Sequence, residues 1–394
     1  MKKQGIPFDR KLLNVLLFLN FVFLFTVNPV ENLSRLIILS SIALLCALLI
    51  RASITRTLHF PRLLLFYLAF WVYVCFSALW APNLDLALHS LAIFTAALFC
   101  VAVFWLGLYY TDFRTVLSCA VVVVTVVQVY FLAIGDPIPE QEYRVGGLSD
   151  NPNDTAMELS MVAFLAMIFL RHWLLRYGLV VFGLVGSLPT GTRKIMFTVV
   201  GLAVMAFAQF TRYLTASRQR LIFFSAVALL ACGMAALAAA PLLDKLAQTQ
   251  TYVRIAELLE GRLDYSARDR WTLLNEAVDI WLRSPIFGNG IASVQALSSF
   301  HLYAHNNYIE LLASFGLVGF LLFYAFDFAV IAKLLPRAWR GSELHRQLLI
   351  VMIAILVYDT SMVSYDTRSS TLLVRAIVAF LADRDSLDAR QYND

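Results

Sequence analysis

Apolar residues are grouped into long runs along the chain, and charged residues or clusters of Pro and Gly separate one run from the next. A helix of about 20 predominantly apolar residues is long enough to cross the hydrocarbon core of a membrane. The pattern therefore predicts an all-α polytopic membrane protein with about 12 transmembrane helices. The twelve runs lie near residues 11–28, 36–50, 63–81, 91–110, 115–135, 155–170, 177–189, 195–210, 221–243, 308–332, 348–365 and 369–382.

The composition of the 394-residue chain supports this pattern, since 60% of its residues are hydrophobic and only 14% are charged. A soluble domain has roughly 45–50% apolar and about 25% charged residues. An ordinary soluble enzyme is therefore excluded, and the high apolar content also excludes a disordered chain. The five cysteines all fall inside apolar runs, so they are predicted to be small buried hydrophobes rather than disulfide partners or metal ligands.

The Lys and Arg residues of the short loops predict the orientation, because they concentrate on the cytoplasmic side of a membrane protein. With the N-terminus inside, both termini are cytoplasmic. The net charge of +5 then reflects topology, and no nucleic-acid partner is predicted. The predicted cytoplasmic segments hold nineteen Lys and Arg residues: Lys2, Lys3, Arg10, Lys11, Arg51, Arg56, Arg62, Arg114, Arg171, Arg176, Arg212, Arg218, Arg220, Lys333, Arg337, Arg340, Arg346, Arg384 and Arg390. The predicted short outer loops hold only five such residues: Arg35, Arg144, Arg193, Lys194 and Arg368.

Three parts follow from these runs. Residues 1–243 are predicted to form the first nine transmembrane helices with short loops, and residues 308–394 the last three helices and a cytoplasmic tail. Between them, residues 244–307 form one long outer loop that contains short helices. This loop carries charges of both signs, so most of its arginines are expected to be structural.

One segment of the long loop, RWTLLNEAVDIWLRSP from Arg270, has apolar residues at helical spacing. It predicts an amphipathic helix that ends at Ser284-Pro285. The apolar side of this helix either lies at the membrane interface or packs on a small core of the loop itself. That side carries Trp271, Leu274, Val278 and Trp281.

Polar side chains gather at the predicted outer ends of several helices. His301 and His305 precede the span that starts near residue 308, and Arg144 and Arg193 lie in two short outer loops. A histidine with a pKa near neutral can accept a proton from a hydroxyl, and a guanidinium fork suits phosphate. A lipid pyrophosphate fits this set. The alternatives are a structural histidine and an Arg193 that anchors the chain to lipid headgroups.

Two stretches carry a resemblance to a known family: RWTLLNEAVDIWLRSPIFGNG at 270–290 and AHNNYIELLASFGLVGFLLF at 304–323. They resemble the O-antigen ligase/polymerase family of bacterial envelope glycosyltransferases. The shared pattern is an Arg, an amphipathic helix, Pro and a Gly-x-Gly turn, then a His-Asn pair that opens a span with Gly316 and Gly319. The segments around Arg193 and from Arg144 to Asn153 also look like family elements.

This resemblance implies a GT-C-like membrane glycosyltransferase in the bacterial inner membrane, with its active site facing the periplasm. The donor would be a polysaccharide on undecaprenyl pyrophosphate, and the acceptor a sugar hydroxyl of lipid A–core. The reaction would invert the anomeric carbon and use neither cofactor nor metal. His305 would be the base, Arg270 and Arg193 would hold the pyrophosphate, and Arg144 would be a further candidate for that role. His301 and Asn306 would be accessory residues.

The carboxylates agree with a reaction that needs no metal. The only tight Asp-x-Asp pair, Asp383 and Asp385, lies in the predicted cytoplasmic tail, away from the outer face. Asp327, Asp359 and Arg375 fall inside apolar runs, where charges face the interior or pair with one another. Asp359 and Arg375 are predicted to form a structural pair.

The same sequence features are compatible with two other functions. A polymerase of O-antigen or capsule would use a second lipid-linked repeat as its acceptor, and cleft shape rather than residue spacing decides between this acceptor and lipid A–core. A polysaccharide transporter or flippase would need polar residues along a path and interrupted helices in matched halves. The polar residues here gather instead at one face.

Overall fold

The computed structural model describes residues 7–26, 31–138, 144–148, 151–192, 194–214, 265–365 and 369–391. Within these ranges the regular secondary structure is helical apart from one short ribbon, in which β1 (Pro137–Ile138) pairs antiparallel with β2 (Arg144–Val145). Short 3-10 turns span Ala78–Trp80 and Leu188–Thr190. The α-helices are α1 Pro7–Thr26, α2 Glu31–Thr55, α3 Leu64–Ser77, α4 Leu84–Leu108, α5 Phe113–Ile134, α6 Pro152–Phe169, α7 Trp173–Gly186, α8 Ile195–Leu214, α9 Tyr265–Arg283, α10 Ser293–Leu297, α11 Asn307–Trp339, α12 Glu343–Asp359 and α13 Ser369–Gln391.

Eleven of the twelve predicted apolar runs coincide with helices, α1 to α8 and α11 to α13. The ninth run, near 221–243, lies outside the described residues. Five described helical stretches are long and apolar enough to cross a membrane: Arg35–Thr55, Leu84–Leu108, Phe113–Ile134, Trp173–Thr190 and Asn307–Trp339. The chain is therefore an all-α, multi-pass membrane protein.

Successive helices reverse direction, which creates two ends of the bundle. The site end contains the β-ribbon, the 3-10 turn at Leu188–Thr190, the turn at 358–361 and the start of α11. The opposite end contains the turns between α4 and α5, α6 and α7, and α11 and α12. Large apolar side chains such as Ile50, Val200 and Phe207 remain exposed on the outside of helices, as contact with lipid requires.

Helix α11 is interrupted at Gly316, where φ is 64° and ψ is −168°. The backbone of residues 285–290 fills this break. Gly290 N–H donates to the Ser314 carbonyl at 2.8 Å, and Leu317 N–H donates to the Pro285 carbonyl at 2.9 Å. These bonds satisfy groups that the interrupted helix leaves without an intrahelical partner. The Gly-x-Gly turn of the sequence thus repairs a broken membrane helix, a break that the apolar pattern did not predict.

The predicted pair of Asp359 and Arg375 is confirmed and has a third member. Arg375 is fully buried, and its Nη2 lies 2.7 Å from Asp359 Oδ2. Its Nε lies 3.1 Å from Asp327 Oδ1. This cluster connects α11, α12 and α13 through their buried faces. Removal of one partner from such a cluster leaves an uncompensated charge in the interior.

We expect Gly316→Ala to lower the free energy of unfolding of the purified protein in detergent by about 2 kcal/mol or more, or to abolish folding. The φ/ψ values of Gly316 fall in a region that is essentially restricted to glycine. In addition, a Cβ atom there would lie 2.3 Å from the Ile286 carbonyl oxygen.

Gly178→Ala is the matched control, because a Cβ atom at Gly178 has no neighbour within 4 Å and the residue is inside α7. Alanine is favoured over glycine by roughly 0.5–1 kcal/mol in a helix. Thermal unfolding followed by size-exclusion fluorescence measures both variants. A Gly316→Ala protein as stable as the control would contradict the described break in α11.

Candidate functional site

Arg144 holds together three segments at the site end of the bundle. It is 6% exposed, and its Nε donates to the Thr190 carbonyl at 2.6 Å while its Nη2 donates to Asn153 Oδ1 at 2.8 Å. Thr192 donates to the same Asn153 oxygen at 3.1 Å. The β-ribbon, the start of α6 and the turn before α8 therefore meet at one place.

The turn before α8 continues the contact to the end of α12. The Tyr358 hydroxyl donates to the Lys194 carbonyl at 3.1 Å, and its oxygen also lies 3.1 Å from Ser160 Oγ on α6. Arg193, a predicted pyrophosphate ligand, lies outside the described residues. Its two neighbours, Thr192 and Lys194, are both held in this set of hydrogen bonds.

Asn306 connects the end of α12 to the start of α11. Its Nδ2 donates to the Thr360 carbonyl at 3.1 Å. Its Oδ1 accepts from the backbone N–H groups of Tyr308 at 3.0 Å and Ile309 at 3.2 Å, which makes Asn306 the N-cap of α11. A helix start at this position was predicted from the sequence. The described role of Asn306 is thus to fix the entry of the chain into α11.

His305 sits immediately before this cap in a conformation uncommon for histidine. Its φ is 53°, in the left-handed region that few residues other than glycine adopt. The imidazole is half-buried and its ring centre lies 4.4 Å from that of Tyr303. Backbone strain of this kind persists where the surroundings enforce it and is found frequently at functional sites.

Glu310 supplies one of the constraints on His305, and sequence reasoning missed it. Its carboxylate is buried on the first turn of α11. Oε2 accepts from the N–H of Ala304 at 2.7 Å, so it fixes the peptide that leads into His305. The sequence does place a Glu near the start of an apolar run. Because a carboxylate buried there needs a partner, this position could have indicated the contact.

Asn307 was also missed, and it ties the same region to the buried charges. Its side chain is fully buried. Nδ2 donates to the Tyr324 hydroxyl at 3.0 Å, and Oδ1 accepts from the Ser364 N–H at 2.9 Å. The Tyr324 hydroxyl in turn donates to Asp359 Oδ2 at 3.0 Å. The loop that carries His305 therefore rests on the cluster of Arg375 and its two aspartates.

His301 has a different environment from His305. It is exposed, has the same φ of 53°, and its Nδ1 lies 3.2 Å from the Gln295 carbonyl oxygen. The segment just before His301 is held to α9, since Glu276 accepts from the N–H of Ser299 at 2.9 Å and from its hydroxyl at 2.6 Å.

Helix α9, which carries Arg270, packs on the protein. Leu273, Ala277 and Ile280 are buried, and the last two belong to one cluster with residues of α10, α11 and the His305 loop. The predicted end of this helix at Ser284 is confirmed. The buried face of α9 therefore packs on a core, which is one of the two predicted arrangements. Trp271, which belongs to the predicted apolar side, is 65% exposed.

Arg270 is half-buried and lies on the face of α9 that is turned toward the core. It precedes Ala277 by seven residues, or two helical turns, and Ala277 belongs to the same cluster as Ala304, the neighbour of His305. The packing thus places Arg270 and His305 on adjoining elements. Arg268 belongs to the same helix, but its side chain lies outside the described residues.

These observations define a class of protein: a multi-pass helical membrane protein with a set of polar and cationic side chains at one end of its bundle. Residues 178–324 match the family model described as O-antigen ligase. The match confirms the resemblance found in the sequence, and the chain carries an O-antigen ligase family domain over that stretch. No curated protein matches the chain.

The matched stretch includes positions 193, 270 and 305, whereas Arg144 precedes it. Within the described residues, no group of three His, Cys, Asp or Glu side chains has the arrangement of a metal site. The polar groups described at the site end include cations, imidazoles, amides and hydroxyls, together with the buried carboxylates Asp154, Glu310 and Asp359. Such a set can bind an anion and accept a proton.

We expect Glu310→Ala to reduce activity at least about tenfold in a protein that still folds, because loss of the acceptor leaves the Ala304 N–H unpaired and frees His305. Glu310→Gln keeps an acceptor oxygen and should restore most of the activity. Asp279→Ala, an exposed position on α9, is the control. Product formation and thermal stability are measured together, and equal activity of the Ala and Gln variants would remove the positioning role.

Proposed function

We propose that this protein is a glycosyltransferase that moves O-antigen polysaccharide from undecaprenyl pyrophosphate to a sugar hydroxyl of lipid A–core. The observation that carries the proposal is a set of hydrogen bonds at the site end. These bonds join Arg144 and Thr192 to Asn153 of α6, join Lys194 and Ser160 of α6 to Tyr358 of α12, and join Thr360 to Asn306. They support a pyrophosphate site near the predicted base.

In the proposed reaction, the acceptor hydroxyl oxygen attacks the anomeric carbon of the donor. The bond from that carbon to the pyrophosphate oxygen breaks, and undecaprenyl pyrophosphate leaves with the bonding electrons. His305 accepts the hydroxyl proton. Attack opposite the leaving group inverts the anomeric carbon. The pyrophosphate is already a good leaving group, so no metal or nucleotide sugar is required.

Arg270 and Arg193 are proposed to bind the leaving pyrophosphate, whose charge grows as the bond breaks. Arginine suits this role because its planar fork donates to two phosphate oxygens and keeps its charge. The start of α11, directly after His305, adds the partial positive charge of a helix N-terminus. His301 and Asn306 remain accessory, with Asn306 acting through the cap of α11.

The proposed arrangement in the membrane follows the sequence. About twelve helices of a GT-C-like fold cross the inner membrane, with both termini in the cytoplasm and the site end in the periplasm. Residues 1–243 and 308–394 are the membrane parts, and residues 244–307 form the periplasmic loop. Partners are the lipid-linked donor, the lipid A–core acceptor and the surrounding lipids.

A polymerase of O-antigen or capsule is the second candidate. It would use the same donor site and base, with a second lipid-linked repeat as acceptor. A flippase or transporter is less well supported. Transporters line a path with discontinuous helices, whereas the break of α11 at Gly316 is closed by the backbone of residues 285–290.

We expect His305→Ala to fail to restore long-chain lipopolysaccharide in a strain that lacks the protein, because the acceptor hydroxyl loses its base. His172→Ala, at the exposed start of α7, is the control and should restore it. Gel analysis of lipopolysaccharide and of lipid-linked polymer is the measurement.

The same gel separates the two candidate functions in a strain without the protein. Loss of all long chains together with accumulation of lipid-linked polymer indicates a ligase, whereas a single repeat on the core indicates a polymerase. Normal long chains from His305→Ala would remove the proposed catalytic role.

We expect Arg270→Lys to lower activity by about tenfold or more, since the charge is kept but the two-pronged contact to phosphate is lost. Arg283→Lys, on the exposed last turn of the same helix, should have little effect. Initial rates at several concentrations of lipid-linked donor measure both. A rate for Arg270→Lys equal to that of Arg283→Lys would exclude a bidentate contact.

A further inference from the structure

A cavity of about 720 Å³ lies at the end of the bundle opposite the candidate site. The turns between α4 and α5, between α6 and α7 and between α11 and α12 surround it, together with Leu381 of α13. Ser118 of α5 donates to the Phe169 carbonyl of α6 at 3.1 Å, so two of the walls are bonded directly. The proposed transfer reaction does not use this cavity.

The cavity has a cationic side. Arg114, Arg171 and Arg176 all line it. Arg176 is held in place, because its Nε donates to the Leu170 carbonyl at 2.6 Å and its Nη1 donates to Gln209 at 3.1 Å. Arg114 and Arg171 are exposed, and within the described part of the chain neither guanidinium has a hydrogen bond or an ion pair.

The two carboxylates of the cavity are engaged by neighbouring side chains. Asp112 accepts from the Thr115 hydroxyl at 3.0 Å, and Glu343 accepts from Gln347 Nε2 at 3.1 Å. Three guanidinium groups against two carboxylates leave an excess of positive charge. An anionic ligand is therefore favoured over a neutral or cationic one.

The remainder of the wall is apolar. Phe113, Ile168, Leu175 and Leu344 line the cavity beside the arginines. The start of α7 also presents Trp173 and Leu174 as exposed apolar side chains. A soluble anion would use the cationic side only, whereas a lipid would use both. Basic pockets between membrane helices are known binding places for acidic phospholipid headgroups.

We propose that this cavity binds an anionic phospholipid. The phosphodiester contacts Arg114 and Arg171, and an acyl chain lies along the apolar wall of α5 and α7. Guanidinium groups at the membrane surface that lack a protein acceptor find one in lipid phosphate. The lipid thereby joins the ends of α5, α7 and α12.

The test uses Cys119, which lines the cavity and is exposed. A full-length chain that keeps only Cys119 is labelled with a maleimide in detergent, with and without added phosphatidylglycerol. A chain that keeps only Cys46, an exposed residue of α2, is the matched control. Phosphatidylglycerol should slow labelling of Cys119 severalfold and leave Cys46 unchanged.

Two further additions identify the ligand. Phosphatidylethanolamine carries the same chains without net charge, and glycerol 3-phosphate carries the anion without chains. Weaker protection of Cys119 by both supports the proposal. Equal protection by phosphatidylethanolamine would overturn the selectivity for anionic lipid, and equal protection by glycerol 3-phosphate would indicate a soluble anion. Absence of protection by phosphatidylglycerol would overturn the site.

The arginines are tested in the same assay. Replacing both Arg114 and Arg171 by Ala should raise the concentration of phosphatidylglycerol needed for half protection by about tenfold or more, because charge-assisted hydrogen bonds are lost. Replacing Arg62 and Arg340, two exposed arginines at the same end but outside the cavity, should leave it unchanged. Equal half-protection concentrations in the two double variants would contradict phosphate binding by Arg114 and Arg171.

Discussion

The requirement that every backbone N–H and C=O find a partner away from water governs the region around the candidate site. Helix α11 breaks at Gly316, and the peptides of residues 285–290 supply the missing partners. This junction fixes where the chain leaves α9 and where it returns toward α11. Arg270 lies before the junction and His305 after it, so the positions of both depend on a backbone repair in which neither side chain takes part.

The buried cluster of Arg375, Asp327 and Asp359 supports the start of α11 and the loop that carries His305. A buried ion group contributes little net stability but tolerates few alternative arrangements, because a displaced partner leaves a charge without compensation. Asn307 and Tyr324 extend the cluster to the start of α11 by hydrogen bonds. The backbone at His305 is therefore followed directly by the Asn306 cap and by Asn307, which is hydrogen-bonded to this cluster through Tyr324. These contacts explain how His305 is kept in the left-handed conformation.

Several features could be predicted from the sequence because each depends on a single local property of the chain. Apolar runs became helices because the membrane core accepts little else, and the start of α11 coincides with the start of such a run near residue 308. The break at Gly316 was not readable, since it depends on a segment about thirty residues away. Likewise, the buried face of α9 is Leu273, Ala277 and Ile280, one position from the stripe of Trp271 and Leu274. Both sets of residues recur at the helical period of 3.6, so the sequence does not distinguish them. The packing of the neighbouring helices determines which set is buried.

Arg144 illustrates how the structure changes the proposed role of a residue. Its place in a short predicted outer loop and the family resemblance made it a candidate phosphate ligand, but its Nε and Nη2 donate to Thr190 and Asn153. Gly191 has a φ of 61°, and a Cβ atom there would lie 3.0 Å from Cγ of Arg144. The side chain of Arg144 is thus packed against the turn that precedes Arg193. A guanidinium already committed in this way has less of its fork to offer a pyrophosphate, so we infer that Arg144 acts by positioning the turn, while Arg193 and Arg270 remain the proposed ligands.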